Sequence, residues 1–477
     1  MKILWICNML PAFLQKNIPK KGSEAVKEGW LTGLGIALLQ KDHRKEFELH
    51  VAYPVLKKKK SRPILVRTEP AKVILYEFQE DTSHPERYDK RLEGRLAKII
   101  ELVQPDVVHC FGTEYPHTLA LARALDDPAK LLIGIQGLIG LCAAAYFADL
   151  SPKVSSSVTF RDVIRQDTIR MQQRKFELRG KYEREALRLA HHVTGRTDFD
   201  KHYAKTCHSN VNYHSMNETL RPNFYTGSWP DPDYHPFRIF ISQGNYPLKG
   251  LHYILHALPQ IRKRFPQAEV VVAGSDLTRY STWKDKCKIS AYGKYLRRLL
   301  IEGHIENAVT FAGVLNAEQM KKQYLQCGLY LCCSSLENSP NSLGEAMMLG
   351  VPCVCADVGG IPSLFWKDKD GICYEGFRSD QIPFYQMLKQ TRKSEFSNYL
   401  LPESEESKED CGKDDHLQVQ TDRIINAITQ MWSDEEKQSL YCEHAKIHAQ
   451  ITHDPEVNYH KAVEIYDTII GSSSKKQ

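Results

Sequence analysis

What most constrains this chain is a rhythm that occurs twice. Short apolar runs alternate with longer segments of helical period, first over residues 2–195 and again over 238–356. That alternation is the pattern of parallel sheets joined by crossover helices. In the first series the spacing predicts strands at 2–7, 48–52, 72–76, 106–110, 130–135 and 192–195. Helices are expected at 23–40, 88–103 and 115–125, with one long, charged, exposed helix over 161–190. The second series predicts strands at 238–242, 268–273, 308–312, 329–333 and 351–356, with helices at 249–265, 290–302, 317–327 and 340–349. Between them, 212–236 holds Pro222, Pro230, Pro232 and Pro236 with Gly227 and reads as an interdomain linker. The expectation is an α/β chain of two Rossmann-like, doubly wound domains, 1–222 and 237–450, facing a cleft. Residues 389–415 turn polar and acidic and read as a disordered insertion. Asp454-Pro455 opens a last helix, 454–470, expected to pack back on the first domain.

Composition excludes several classes. No stretch approaches the roughly 20 apolar residues of a membrane span. The apolar start, Met1 to Cys7, breaks at Asn8 and Pro11 without a cleavage pattern, so it reads as a buried strand rather than a signal peptide. Thirteen cysteines are scattered without the spaced pairs of a zinc site. Cys332, Cys333, Cys353 and Cys355 fall in strand-like runs, where reduced thiols pack as small hydrophobes. A cytoplasmic location follows. Lys plus Arg number 64 against 58 acidic residues, a balance that disfavours nucleic acid as a partner. The run Lys57 to Lys60 with Arg62 is a local exception. It reads first as a solvated loop and second as a surface for peripheral contact with an inner membrane leaflet. No G-x-G-x-x-G follows the first strand, which disfavours an NAD enzyme. Asp231-x-Asp233 and Asp368-x-Asp370 have D-x-D spacing, but their linker and turn contexts read as structural.

Chemistry concentrates in 329–362. A strand runs into Ser334-Ser335, then Glu337-Asn338-Ser339-Pro340-Asn341-Ser342-Leu343-Gly344-Glu345. Ser339-Pro340 is a helix start and Gly350 before Pro352 a helix stop. Glu337 then lies in the loop and Glu345 in the first two turns, with helix N-terminal amides between them as an anion site. One carboxylate can accept from sugar hydroxyls and the other from a ribose, while the amides take a diphosphate. A second element, Ser242-Gln243-Gly244-Asn245-Tyr246-Pro247-Leu248-Lys249-Gly250, links the second series' first strand to its first helix. Its lysine can reach phosphate, and Gly244 and Gly250 allow close approach. Gly22-Ser23-Glu24 sits at the equivalent turn of the first domain.

Together with Gly350-Val351-Pro352 and Gly359-Gly360-Ile361-Pro362, these features resemble the retaining glycosyltransferases of family 4, with GT-B architecture. The stretches Gly134-Ile135-Gln136-Gly137-Leu138 and Tyr246 to His252 resemble a bacterial branch that builds capsular or exported polysaccharides. The resemblance implies transfer of a sugar from a nucleoside-diphosphate donor to a saccharide or lipid-linked acceptor, with retention of anomeric configuration and without metal or other cofactor. It implies roles for Lys249 at the diphosphate, Glu345 at the ribose, and Glu337 at the transferred sugar. Gly22, Ser23, Gly244, Asn245, Ser339, Asn341, Ser342 and Leu343 would complete the donor site. Gln136 and Glu114 would lie on the acceptor or sugar side. Two positions depart from the family pattern. Asn245 replaces an arginine, and Gln136 replaces a histidine, so no acid–base role is available there. A sugar-nucleotide epimerase on the same plan and a non-catalytic nucleotide-sugar-binding or scaffold subunit are the rival readings.

Overall fold

Strands up to 104 residues apart pair into two sheets, each in its own unit. The computed structural model describes residues 1–15, 29–41, 47–56, 63–68, 71–376 and 413–474. Gly22, Ser23, the basic run 57–62 and the acidic stretch as far as 412 lie outside the described residues.

The first unit comprises Met1–Gly140, Lys175–Pro222 and Gln450–Gln477. Its strands are β1 (Lys2–Ile6), β2 (Glu48–Val55), β3 (Ile64–Thr68), β4 (Ala71–Gln79), β5 (Val107–Phe111), β6 (Leu131–Gly134), β7 (His192–Gly195) and β8 (Asn212–Ser215). They order as β3-β4-β2-β1-β5-β6-β7-β8, parallel except that β3 runs antiparallel to β4. Ile3, Leu4, Trp5 and Ile6 are all fully buried, which is why β1 reads as a continuous apolar run rather than an alternation. The helix Pro455–Ser474 packs on this unit: Ile465, Tyr466 and Ile469 share a core with Trp5, Leu31 and Leu38. Trp5 Nε1 donates to the Tyr466 hydroxyl at 3.1 Å.

The second unit comprises Leu141–Arg174 and Asn223–Ala449. Its strands are β9 (His235–Ile241), β10 (Glu269–Val272), β11 (Val309–Phe311), β12 (Cys327–Cys332), β13 (Cys353–Asp357) and β14 (Ile372–Glu375). All pairings are parallel, in the order β11-β10-β9-β12-β13-β14. Counted within the unit this is 3-2-1-4-5-6, the doubly wound order whose direction reverses between the first and fourth strands. Ligands of such sheets bind at the carboxyl ends of that central pair, here β9 and β12.

Several expectations are corrected. The segment 141–174 groups with the second unit, so the first is not a continuous 1–222. The linker does not begin at 212, because β8 forms the edge of the first sheet. The expected helix 161–190 is two, Phe160–Arg165 and Ile169–Leu189, broken where Gln166 turns left-handed at φ 49°. Cys332, Cys333, Cys353 and Cys355 are buried in or beside β12 and β13.

Candidate functional site

The loops after β9 and β12 carry the charged groups of the second unit. After β9, Pro247–Lys249 forms one 3-10 turn and Gly250 follows at φ 72° before the helix Leu251–Arg264. A Cβ at Gly250 would sit 1.9 Å from the Cys333 carbonyl oxygen, so only glycine lets this loop lie against the end of β12. Cys333 Sγ lies 3.4 Å from the Gly250 carbonyl oxygen, and burial pushes its thiol up to about 12, keeping it a neutral donor. Lys249 is thereby delivered to Glu337, with Nζ 2.5 Å from Oε1. Burial alone would lower the lysine pKa. The adjoining carboxylate outweighs it and holds the ammonium above its ordinary value.

Glu337 Oε1 also accepts from Ser334 Oγ at 2.7 Å. Its backbone is clamped by the Gly359-Gly360 turn. Gly360 donates to the Glu337 carbonyl at 3.0 Å, and Gly359, at φ 59°, would place a Cβ 1.9 Å from that oxygen. The helix Asn341–Leu349 then begins at Pro340, which supplies no side-chain cap. The Leu343 amide donates to the Pro340 carbonyl at 3.0 Å, and the helix N-terminus, with its positive dipole end, faces the loop. Ser339 Oγ, buried beside it, has no hydrogen-bond partner among the described residues. Glu345 is buried at 4% exposure in the second turn of this helix. Asn341 and Ser342 are half-buried on its first turn, and Leu343 is buried. Ser342 Oγ accepts from the Tyr330 hydroxyl at 2.9 Å, and Tyr330 also meets Ser242 Oγ at 3.1 Å. Ser342 is thus tied to β12 and the end of β9. Asn245 is exposed. A Cβ at Gly244 would meet Leu251 at 2.7 Å and Val272 at 3.1 Å, so that glycine makes room for core packing.

In the first sheet the corresponding reversal lies between β1 and β5. Asn8 follows β1, and Gly112-Thr113-Glu114 follows β5. Glu114 Oε1 accepts from the Gly137 amide at 3.1 Å. Its Oε2 and the Asn8 Oδ1 are buried without partners among the described residues. Glu114 Oε2 and Asn8 Nδ2 approach Gly112, where a Cβ would meet them at 2.1 Å and 3.0 Å. Burial raises the Glu114 pKa above the usual carboxylate range.

Gln136 follows β6, and its Oε1 accepts from Arg196 Nη2 at 3.1 Å. Arg196 also forms a buried ion pair with Glu218. These residues line a cavity of about 20 Å³ together with His109, Gly134 and Thr194, room for about one water. The Tyr466 hydroxyl accepts from Trp5 Nε1 at 3.1 Å and lies 2.9 Å from His109 Nδ1. His109 Nε2 faces Gly134 and has no hydrogen-bond partner among the described residues. Burial drops the His109 pKa to about 3 and keeps the ring neutral.

The structure thus brings Lys249, Glu337, Ser339 and Glu345 to one reversal point, and Gln136 and Glu114 to the carboxyl edge of the other sheet. Sequence reasoning missed Ser334, Arg196 and Glu218. Arg196 directly follows the strand-like 192–195, and a charged residue at a strand's carboxyl end was the available signal.

Residues 231–383 match the model of the family described as Glycosyl transferases group 1. Over 134 residues, 28% of the chain, the sequence is 28% identical to the uncharacterized glycosyltransferase MJ1607 of Methanocaldococcus jannaschii and 26% identical to spore coat protein SA of Bacillus subtilis. The matches span only 30% and 33% of the length of these curated relatives. Among solved structures, sucrose-phosphate synthase from Thermosynechococcus elongatus matches with TM-score 0.62 at 14% identity, covering 99% of this chain and 100% of that one. Anabaena HepE in complex with UDP-glucose matches with TM-score 0.57 at 15% identity, covering 98% and 100%. At such identities the likeness shows the fold.

Proposed function

We propose that this chain, a GT-B protein whose residues 231–383 form a glycosyl transferases group 1 domain, moves a sugar from a nucleoside-diphosphate donor to a saccharide or lipid-linked acceptor. The observation that carries the proposal is the Lys249–Glu337 pair at the β9/β12 reversal, beside the N-terminus of the helix Asn341–Leu349 and a buried Glu345. Without donor, Glu337 holds the lysine in place. On donor binding the ammonium exchanges carboxylate for diphosphate, and the freed Glu337 accepts from hydroxyls of the sugar. Glu345 accepts from the ribose. As the glycosidic bond breaks, negative charge grows on the diphosphate, where Lys249 and the helix N-terminus stabilise it. These groups supply the electrostatic role without a metal, in the manner of the retaining family 4 enzymes.

On the acceptor or sugar side, Gln136 and a protonatable Glu114 offer hydrogen bonds to neutral hydroxyls. Gly22, Ser23 and Asn245 belong to the proposed donor site by resemblance. The setting is polysaccharide biosynthesis in the cytoplasm, with the basic run 57–62 at the inner leaflet. No helix among the described residues is long and apolar enough to cross a membrane. The test is incubation with a panel of nucleoside-diphosphate sugars and assay of released nucleoside diphosphate. Release by the wild type, absent in Lys249→Ala, supports transfer. Binding without release would favour a non-catalytic binding subunit.

A further inference from the structure

The segment 141–174 leaves the first unit after Gly140, belongs to the second, and re-enters the first at Lys175. Two of its residues, Ala145 and Tyr146, meet the loops that carry Lys249 and Glu337. Ser335, two residues before Glu337 and 1% exposed, donates through Oγ to the Ala145 carbonyl at 3.0 Å and the Leu248 carbonyl at 3.2 Å. One hydroxyl therefore joins the segment, the lysine loop and the glutamate loop. Tyr146 stacks on Tyr246 with ring centroids 6.2 Å apart and planes 10° from parallel.

Just past Gly250, His252 is fully buried, with Nε2 2.7 Å from the Ala148 carbonyl and Nδ1 3.1 Å from the Tyr292 hydroxyl. A carbonyl only accepts, so the ring proton sits on Nε2 and Tyr292 donates to Nδ1. The next residue, Tyr253, donates its hydroxyl to Asp149 Oδ2 at 2.9 Å. Ala148 and Asp149 are both left-handed, at φ 48° and 57°, a conformation uncommon for alanine and readier for aspartate. The His252 and Tyr253 bonds hold both in place. Farther along, Thr159 Oγ1 donates to the Ile289 carbonyl at 2.8 Å, and Asp162 accepts from the Ala291 amide at 2.8 Å.

We propose that 145–149 is a strap that positions Lys249 and Glu337, with Ser335, His252, Tyr253 and Asp149 as positioning residues. The consequence for catalysis rests on the transferase reading above; the mechanical link between strap and loops does not. Tyr253→Phe and Ser335→Ala each remove one hydroxyl from the clasp. Asp149→Asn keeps an acceptor oxygen for Tyr253 and tolerates the left-handed backbone, so it is the conservative control.

Amide hydrogen exchange on the full chain, without ligand, reads the link. In Tyr253→Phe and Ser335→Ala, amides of 145–150 should exchange faster together with those of 247–250 and 335–338. Asp149→Asn should match wild type. In donor turnover the two breaking variants should lower kcat about three- to tenfold, the worth of roughly one net hydrogen bond, with donor KM within about twofold. Asp149→Asn should again match wild type. Faster exchange in 145–150 alone, with 247–250 and 335–338 unchanged, overturns the strap. If the wild type neither binds nor turns over any nucleoside-diphosphate sugar, the transferase reading fails while the exchange result still decides this inference. If exchange is coupled but kcat is unmoved, the strap is mechanical only and its positioning role is refuted.

Discussion

The two sheets reverse direction in the same way but furnish their reversal points with different chemistry. Between β9 and β12 stand an ammonium and a carboxylate, both only part-buried and matched to each other. Between β1 and β5 stand an amide and a carboxyl whose pKa burial raises. Arg196, which lines the first unit's cavity, is held by Glu218 and Gln136 in a buried cluster. The lesson is that one topology supports a half with a matched ion pair and a half with a desolvated carboxyl. A salt bridge near the surface can trade partners at small cost, whereas a buried one is fixed, because either charge left alone would be expensive.

The largest effects should come from removing the two cations. Arg196→Ala strands Glu218 in the interior and should cost about 3–5 kcal/mol of stability, read by denaturant unfolding. Lys249→Ala should leave stability close to wild type while kcat falls about 10²–10³-fold, as expected when a donor to developing charge is lost. If Lys249→Ala instead unfolds the protein and Arg196→Ala spares it, the comparison is reversed. Glu345→Ala comes next. The ribose carries no developing charge, so the loss should appear mainly as a donor KM raised roughly ten- to a hundredfold.

Acid sensitivity should be shared between the units. His109 in the first and His252 in the second both have pKa lowered to about 3 by burial. Unfolded, each takes a proton below about 6.5; folded, neither does until about 3. Their stabilisation is therefore complete above 6.5 and declines as pH falls toward 3, by about 1.4 kcal/mol per pH unit for each. Urea titrations at a series of pH values should show a shallower decline in His109→Gln and in His252→Gln.

The smallest effects separate the two carboxylates by sign. The Glu114 pKa is raised in the fold, so its ionised form opposes folding at high pH and that opposition vanishes below the unfolded value of 4.5. Glu114→Gln should thus be at least as stable as wild type at pH 8, with no advantage at pH 4. Glu337→Gln removes the partner of Lys249 and should destabilise by about 1 kcal/mol at neutral pH. Melting curves of both variants at pH 8 and pH 4 make the check.

The second half was the more legible, for a physical reason. In 329–362 strand, loop, helix and stop follow one another in sequence, so Glu337 and Glu345 are placed by local signals alone. Lys249 needed only the β9 turn and its glycine. The strap gave no such signal: its partners His252, Tyr253 and Ser335 lie 104 or more positions away, and the left-handed Ala148 and Asp149 are not glycines. Strand β8 was hidden because Asn212 to Ser215 is polar, as suits the edge of a sheet. Gln136 was found by resemblance, but its restraint by Arg196 and Glu218 depends on residues brought in from two other strand ends.

The central claim is that Lys249 meets the diphosphate and meets it most strongly when the glycosidic bond has broken. A free nucleoside diphosphate carries more charge on its terminal phosphate than a nucleotide sugar does, so it resembles the leaving group. Titration calorimetry with UDP and UDP-glucose, the ligands of the HepE complexes, can compare wild type with Lys249→Ala. GDP and ADP with their glucose conjugates serve if uridine is not the base. The account predicts that Lys249→Ala weakens nucleoside diphosphate binding about ten- to a hundredfold and the nucleotide sugar distinctly less. Equal affinities in wild type and Lys249→Ala for a diphosphate that the wild type binds would contradict it.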